Sequence, residues 1–294
     1  MPLWTRAFAV SSPTLTAPDF SQVPENHLPR DPALRLSCGV LIVITLACLL
    51  APVLPIAPPS GGNVMEADLA AFHPGHLLGT DQNGNDLLAR LLYGGRTSLL
   101  IALAVNLTGM VLGGSIGALS AFLGGVVDSA LMRALDALVA LPSLVLALAM
   151  SEALGPGKAS TAIALCLFAI PAFARIARAA TLRLRERPFV LVAKVFGAGP
   201  ARILVTHLAP NILPQLIAFG LLAMGISIVV EGGLSFLGLG VQPPEPSWGN
   251  MIALGQQQLA VRPYLLFLPG ASLFLTVLAL NLLGERLRER WNRP

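Results

Sequence analysis

The chain has 294 residues, of which 55% are hydrophobic and 12% are charged, and its mean hydropathy is +0.74. Soluble domains carry about 25% charged residues, so this composition excludes a water-soluble globular protein and indicates a chain that faces lipid. The formal net charge is +4, but the basic residues stand in short intervals between apolar segments. That pattern is typical of membrane proteins and gives no reason to expect a nucleic-acid partner.

Residues 1–35 contain proline and serine without a helical periodicity, and we expect a flexible tail there. Six apolar segments follow that are long enough to cross a bilayer, for which about 20 helical residues are needed. The six segments are 36–56, 97–123, 131–154, 160–180, 212–237 and 264–283. The sequence therefore predicts an all-α integral membrane protein with six transmembrane helices, in contact with membrane lipids.

The distribution of Lys and Arg predicts the orientation. Of the 19 basic residues, 15 lie in the N-terminal tail, the turn near Arg133, the middle of the chain and the C-terminal segment 284–294. The other four lie in the alternate intervals. This asymmetry predicts that both termini and the middle loop are cytoplasmic.

Residues 57–96 form the first predicted outer loop. Within it, residues 85–93 place four leucines on one helical face, and Gly94 and Gly95 follow. This pattern predicts a short amphipathic helix at the interface that stops at the glycines. A helix that simply leads into the second span is an equal alternative.

Gly109, Gly113 and Gly117 recur every four residues in the second span, and this spacing predicts close helix packing. Both a static interface and a moving one stay open. Pro142 and Pro171 lie within spans and should kink them or unwind the preceding turn.

Two carboxylates, Asp136 and Glu231, fall within apolar segments, where a charge is costly without a partner or water. They are candidates for a substrate pathway or gate. The alternative for each is a hydrogen-bonded cap near the end of a helix.

Between residues 187 and 214 the chain has a basic loop, RPFVLVAKVFGAGPARILVTHLAPNILP. Pro188 interrupts the basic helix that continues the fourth span, and a short helix predicted over 189–196 then ends at Gly197. Gly199 and Pro200 then begin a second helix over 200–208, because proline favours the first position of a helix. We interpret this loop as a rigid knob that docks into a groove on a partner; a plain connector between two spans is the alternative.

The sequence contains no recognisable catalytic, metal-binding or nucleotide-binding motif. It lacks the G-x-x-x-x-G-K-[ST] loop that binds ATP phosphates. Its three cysteines lie in apolar runs, and its four histidines do not have a ligand spacing. We therefore expect no catalytic residues, metal site or cofactor in this chain.

The middle loop is similar to the EAA motif of ABC-importer permeases, which reads Glu-Ala-Ala, three residues, glycine, nine residues and an apolar-x-Leu-Pro ending. Ala193, Gly197 and Pro210 match this motif. The chain departs from it at Leu191, Val192, His207 and Ala209. The missing glutamate at Leu191 removes one candidate salt bridge to an ATPase and leaves the glycine turn intact.

Three further stretches, 76–99, 235–251 and 274–289, resemble the C-type subunit of the dipeptide, oligopeptide and nickel permease family. The first reads HLLGTDQNGNDLLARLLYGGRTSL, and the second contains SFLGLGVQPPEPSWGNM. The resemblance implies a type I ABC-importer permease fold with its core at 97–283, in a bacterial cytoplasmic (inner) membrane. It also implies a second homologous permease subunit, two cytoplasmic ABC ATPases that bind ATP and Mg²⁺, and an extracytoplasmic solute-binding protein.

The resemblance assigns roles to residues in two loops. The ATPase-coupling residues of loop 187–211 are Ala193, Gly197, Gly199, Pro200, Arg202, His207 and Pro210. The outer-loop residues expected to face the binding protein are Gln242, Pro243, Pro244 and Trp248. For the outer loop, a purely structural lid is an equal alternative.

Peptides are the cargo that the resemblance implies most broadly, and nickel or a metal chelate is the alternative. A membrane scaffold or channel without an ATPase is the rival from another class, and it would leave the docking loop unexplained.

Overall fold

The computed structural model describes residues 32–140 and 142–291. The N-terminal tail predicted over 1–35 therefore lies almost wholly outside the described residues. Within them the chain forms eleven α-helices. Their bounds are α1 Pro32–Leu50, α2 Leu87–Thr108, α3 Gly114–Leu123, α4 Gly125–Leu138, α5 Ser143–Leu154, α6 Lys158–Leu184, α7 Pro188–Val195, α8 Pro200–Arg202, α9 Ala209–Phe236, α10 Trp248–Gln256 and α11 Tyr264–Trp291.

Two π-helical turns, Gly109–Gly113 and Ile203–Leu208, join neighbouring helices without a break. The α2–α3 helix therefore runs over Leu87–Leu123, and the α8–α9 helix runs over Pro200–Phe236. Together with α6 and α11, these are the four helices among the described residues that are long and apolar enough to cross a membrane. Shorter apolar helices cover Leu34–Leu50 and Val145–Leu154. The prediction of an all-helical membrane protein is confirmed.

Prolines set several of the helix ends that the apolar pattern alone placed differently. Pro142 separates α4 from α5 within the third predicted span, with φ −57° and ψ 136°, as expected for a residue that cannot donate a helical hydrogen bond. Pro52 and Pro55 follow the end of α1 at Leu50, so this helix stops before the predicted end at residue 56. By contrast, α6 continues through Pro171.

The prediction of a separate amphipathic helix that stops at Gly94 and Gly95 was wrong. Asp86 caps α2 by accepting a hydrogen bond from the amide of Ala89, and the helix then runs through both glycines into the membrane span. A Cβ at Gly95 would collide with the Trp248 ring. These glycines therefore serve close packing, and the alternative of a helix leading into the span holds.

The second helix of the middle loop was predicted over 200–208, with Pro210 and Pro214 beyond its end, and this was also wrong, because both prolines lie inside the continuous α8–α9 helix. The π-helical turn just before Pro210 widens the helix where the proline ring would otherwise crowd a carbonyl. Asn211 Nδ2 donates a hydrogen bond to the His207 carbonyl (2.7 Å) and so satisfies part of the loosened backbone.

At the other end of the chain, α11 extends to Trp291, through most of the segment predicted as a C-terminal tail. An Arg286–Glu289 pair three residues apart, 3.1 Å between Nη1 and Oε2, supports this extension.

The glycine stripe of the α2–α3 helix lies directly against α6. A Cβ on Gly113 would overlap the carbonyl oxygen of Ile170, and one on Gly117 would overlap that of Ala174. At Gly109 the nearest atoms belong to the Phe173 ring and to Ala169. Backbone thus approaches backbone at Gly113 and Gly117, and the two helices pack closely along this stripe.

Candidate functional site

The middle loop folds into α7, a glycine turn and the start of α8, and we call residues 188–202 the knob. Pro188 occupies the first position of α7, and Arg187 before it is extended (φ −73°, ψ 148°). Pro200 occupies the same position of α8, with Gly199 extended before it (φ −65°, ψ 157°). Proline fits the first helical position because its fixed φ is already helical and its missing amide has no partner there.

Gly197 ends α7 in the left-handed region, at φ +77°. The amide of Ala198 donates to the carbonyl of Ala193, and the amide of Gly197 donates to that of Lys194, both at 3.0 Å. This is a complete Schellman motif, in which the residue at the Gly197 position must adopt a positive φ. The turn between α7 and α8 is therefore fixed by hydrogen bonds and one glycine.

One face of α7 anchors the knob. Val190 is fully buried in a cluster with Phe173 of α6 and with Ile203, Leu208 and Ile212 of the α8–α9 helix. Ala193 and Ala198 pack against the same cluster. The knob therefore joins two spanning helices and should move with them as one body.

The opposite face of α7 is apolar and exposed. Val195 and Phe196 expose 86% and 85% of their surface, and Phe189, Leu191 and Val192 are also exposed. Lys194 is the charged residue of this helix. An apolar patch of this kind on a rigid projection is suited to a hydrophobic groove on another protein.

The other residues predicted for coupling lie beside this patch or behind it. Arg202 and Pro210 are exposed, whereas His207 is half-buried in the π-helical turn. The structure thus brings Ala193, Gly197, Gly199 and Pro200 together in the knob. His207 and Pro210 lie further along the α8–α9 helix.

One ion pair and one hydrogen bond tie α3, α4 and the last third of α6 together. Arg178 donates two hydrogen bonds to Asp128, from Nε to Oδ1 at 2.7 Å and from Nη2 to Oδ2 at 2.6 Å. The Arg178 guanidinium, with the Ser120 hydroxyl, lowers the pKa of Asp128 to about 2, so the pair stays charged at physiological pH. Arg185 Nη1 donates to the Ala121 carbonyl at 2.9 Å.

The two carboxylates predicted for a pathway or gate have different surroundings. Glu231 is fully buried and accepts a hydrogen bond from Ser235 Oγ (2.7 Å), which in turn accepts one from the amide of Val241. This chain of bonds has the geometry of a cap at the end of α9. Asp136 is exposed on α4 and pairs with Arg175 of α6.

Residues 95–293 match the family model described as binding-protein-dependent transport system inner membrane component. The matched range covers most of the chain. The chain belongs to this family.

Several relatives of this chain carry names from peptide transport. A putative peptide transport system permease protein of Brucella abortus is 37% identical over 287 residues, with 95% of this chain and 96% of that protein covered. The di/tripeptide transport system permease protein DppC of Pseudomonas aeruginosa is 39% identical, with 80% and 75% covered. The glutathione transport system permease protein GsiD of Escherichia coli is 34% identical, with 97% and 96% covered.

An inward-facing structure of the MetNI methionine ABC transporter shares the fold with a TM-score of 0.55 and 18% identity. It covers 69% of this chain and 97% of that one. The expected ABC-importer permease fold is thereby confirmed. The chain is the permease component of an ABC importer, a multi-pass inner-membrane protein whose partners are ATPase and binding-protein components.

Trp248 of the permease corrects one expectation about the outer loop. It was predicted to face the binding protein, yet it is 1% exposed and its Nε1 donates to the Leu91 carbonyl at 3.0 Å. It packs over Gly95, which provides the room. Trp248 thus belongs to the lid alternative; Pro243 and Pro244 are exposed and Gln242 is half-buried.

Sequence reasoning missed Val190 and the Asp128–Arg178 pair as supports of the knob. The buried position of Val190 could have been predicted, because Val190 and Ala193 are three residues apart and therefore share one face of a short helix. The ion pair joins residues 50 apart in the chain, and no local pattern in the permease sequence indicates it.

Proposed function

We propose that this permease forms half of the translocation path for short peptides and transmits the movement of the ATPases through the knob. Its partners in the proposal are a second homologous permease, two cytoplasmic ATPases and an extracytoplasmic solute-binding protein. In this proposal the chain contributes no catalytic residue or cofactor, and ATP and Mg²⁺ bind to the ATPases.

Peptides are proposed because the relatives named above are peptide, di/tripeptide and glutathione permeases. Those names describe the relatives' cargo, and an uptake assay must establish it for this chain. Preferred uptake of nickel or a metal chelate over peptides would overturn this part of the proposal.

The observation that carries the coupling role is the exposed apolar face of α7 on an anchored knob. With the N-terminus in the cytoplasm, as the distribution of Lys and Arg predicts, the knob also lies on the cytoplasmic side. There its apolar face would be exposed to water unless a partner covers it. Because Leu191 stands where the motif has glutamate, contact with the ATPase rests on shape, apolar area and the flanking basic residues.

A pair of charges on this face tests the docking role. We expect Val195→Asp with Phe196→Asp to abolish co-purification of the ATPases, because burying one such side chain is worth about 1.5–3 kcal/mol, or at least tenfold in affinity. The permease should still insert, since both side chains are exposed. The measurement is the ATPase-to-permease ratio after purification in detergent.

The matched control is Val64→Asp with Met65→Asp, at adjacent residues 73% and 91% exposed in the first outer loop. It introduces the same two charges away from the knob and should leave the ATPase ratio unchanged. Retention of the ATPases by the knob variant would contradict the docking role, and loss in both variants would show a general effect of the charge.

A further inference from the structure

An ion pair joins α4 to α6 on the outside of the single chain. Arg175 Nη2 lies 2.8 Å from Asp136 Oδ1, and the two side chains are 52% and 62% exposed. Most charges on membrane-spanning helices are buried or lie at the helix ends. Neither side chain of this pair is buried, and Arg175 lies well inside the spanning helix α6, whereas Asp136 lies in the last turn of α4.

The position of Arg175 along α6 places it at hydrocarbon depth. The helix has 27 residues, about 40 Å at 1.5 Å per residue, against a hydrocarbon core of about 30 Å. Arg175 lies about 26 Å from Lys158 at one end and about 14 Å from Leu184 at the other. For a helix centred on the hydrocarbon core, this places Arg175 roughly 9 Å inside it, where exposure of a charge to lipid is costly.

The neighbouring pair Asp128–Arg178 provides a contrast. That pair makes two parallel hydrogen bonds, and Asp128 accepts a third from Ser120. Arg175 and Asp136 are joined by a single hydrogen bond among the described residues. A single bond between two half-exposed groups is weak, and each group has room to take up another charge.

The face that carries Arg175 stays exposed toward the knob. Ala179 and Arg183 are exposed at intervals of four residues along α6. Arg183 Nη2 donates to Gln215 Oε1 of α9 at 2.9 Å. Arg175 and Arg183 therefore lie at the two ends of one exposed face of α6, with the small side chain of Ala179 between them.

We propose that Arg175 and Asp136 form a transient binding site for the two charged ends of a zwitterionic peptide in transit. The Arg175 guanidinium takes the carboxylate of the peptide, and the Asp136 carboxylate takes its ammonium group. A zwitterion brings one charge of each sign, so this exchange replaces one ion pair by two and leaves the site neutral. A permanent protein partner would instead have to bury an ion pair whose two charges already neutralise each other. Removing that pair from water would cost free energy without a new interaction to offset it.

The proposal rests on the proposed peptide-import function, and its first test does not depend on cargo. With Cys38, Cys48 and Cys166 replaced by alanine, the complete importer carrying Ala179→Cys is placed in nanodiscs. A charged methanethiosulfonate should label this thiol at least about tenfold faster than a thiol at Leu278→Cys, because the reagent requires water. Leu278 is an exposed apolar residue of α11. Equal, slow labelling of both would overturn a water-lined face.

The second test measures peptide uptake with saturating loaded binding protein. We expect the neutral double variant Arg175→Gln with Asp136→Asn to lose about tenfold in uptake, the value of one hydrogen bond to a charged group. Arg175→Lys with Asp136→Glu should retain most of it. The control Arg286→Gln with Glu289→Gln removes another exposed pair and should transport as the unmodified importer does.

A readout at the site separates binding from stability. Peptide supplied to the importer should slow the labelling of Ala179→Cys, and the neutral double variant should abolish this protection. If the unmodified importer takes up no peptide, the proposed function fails. If it takes up peptide and the neutral variant does so equally well, the proposal for this pair alone is overturned.

Discussion

Adding a single methyl group at Gly117 is expected to prevent normal packing of the α2–α3 helix against α6. The new Cβ would overlap the Ala174 carbonyl oxygen, and Gly113→Ala would do the same at Ile170. Both obstacles are backbone atoms of a helix held on several sides, so they cannot move aside as a side chain can. Overpacking costs about 1–3 kcal/mol per site, against a total stability of about 5–15 kcal/mol. We therefore expect Gly113→Ala with Gly117→Ala to lower the yield of folded permease and its midpoint of thermal unfolding in detergent.

Gly233→Ala is the matched control for this packing prediction. Gly233 also lies inside a spanning helix, but no atom lies within 4 Å of the position that a Cβ would take there. Alanine there should be neutral or stabilising by about 0.5–1 kcal/mol. Gly109→Ala should fall between the two, because its obstacle is the Phe173 ring. Equal losses at Gly117 and Gly233 would contradict close packing as the reason for the stripe.

The spanning helices could be predicted from the sequence where the thickness of the bilayer determines their length. Apolar length identified the spans that α6 and α11 form, because hydrocarbon thickness fixes the number of apolar residues. Continuity through Pro210 and through Gly95 could not be predicted. At Pro210 the helix contains a widened π-helical turn. At Gly95 the helix packs against Trp248, which is 153 positions later in the chain.

In the candidate site too, features that depend on neighbouring residues could be predicted, and features that depend on the packing of distant helices could not. Gly197 and Pro200 follow from rules for helix ends, which involve only a few neighbouring residues. The burial of Val190 and the exposure of the Asp136–Arg175 pair depend on how α4, α6 and the α8–α9 helix pack together. Trp248 was misassigned for this reason too, since an interfacial tryptophan and a buried one look alike in a sequence.

Replacing Gly197 by valine is expected to abolish peptide uptake while the permease still inserts and folds. Gly197 has φ +77°, and no atom lies within 4 Å of a Cβ built there, so the substitution meets backbone strain and no clash. The left-handed conformation costs an L-residue about 1–2 kcal/mol, and a β-branched residue is especially unfavourable there. Relief of that strain would break the Ala198–Ala193 and Gly197–Lys194 hydrogen bonds and change the angle between α7 and α8. The measurement is uptake into proteoliposomes together with ATPase stimulation by loaded binding protein.

Two variants decide whether the conformation of this turn matters for coupling. Gly199→Ala removes a glycine two positions away whose extended backbone suits any residue, so it should transport as the unmodified importer does. Gly197→Asn keeps a residue that tolerates the left-handed region and should retain most of the uptake. The order expected is therefore asparagine well above valine at Gly197, with alanine at Gly199 unaffected. Normal uptake by Gly197→Val would show that the ATPases move the permease without a fixed turn in the knob. Equal loss in Gly197→Asn and Gly197→Val would show that the ATPase contacts the bare backbone of Gly197, because the asparagine variant preserves the turn and adds only a side chain.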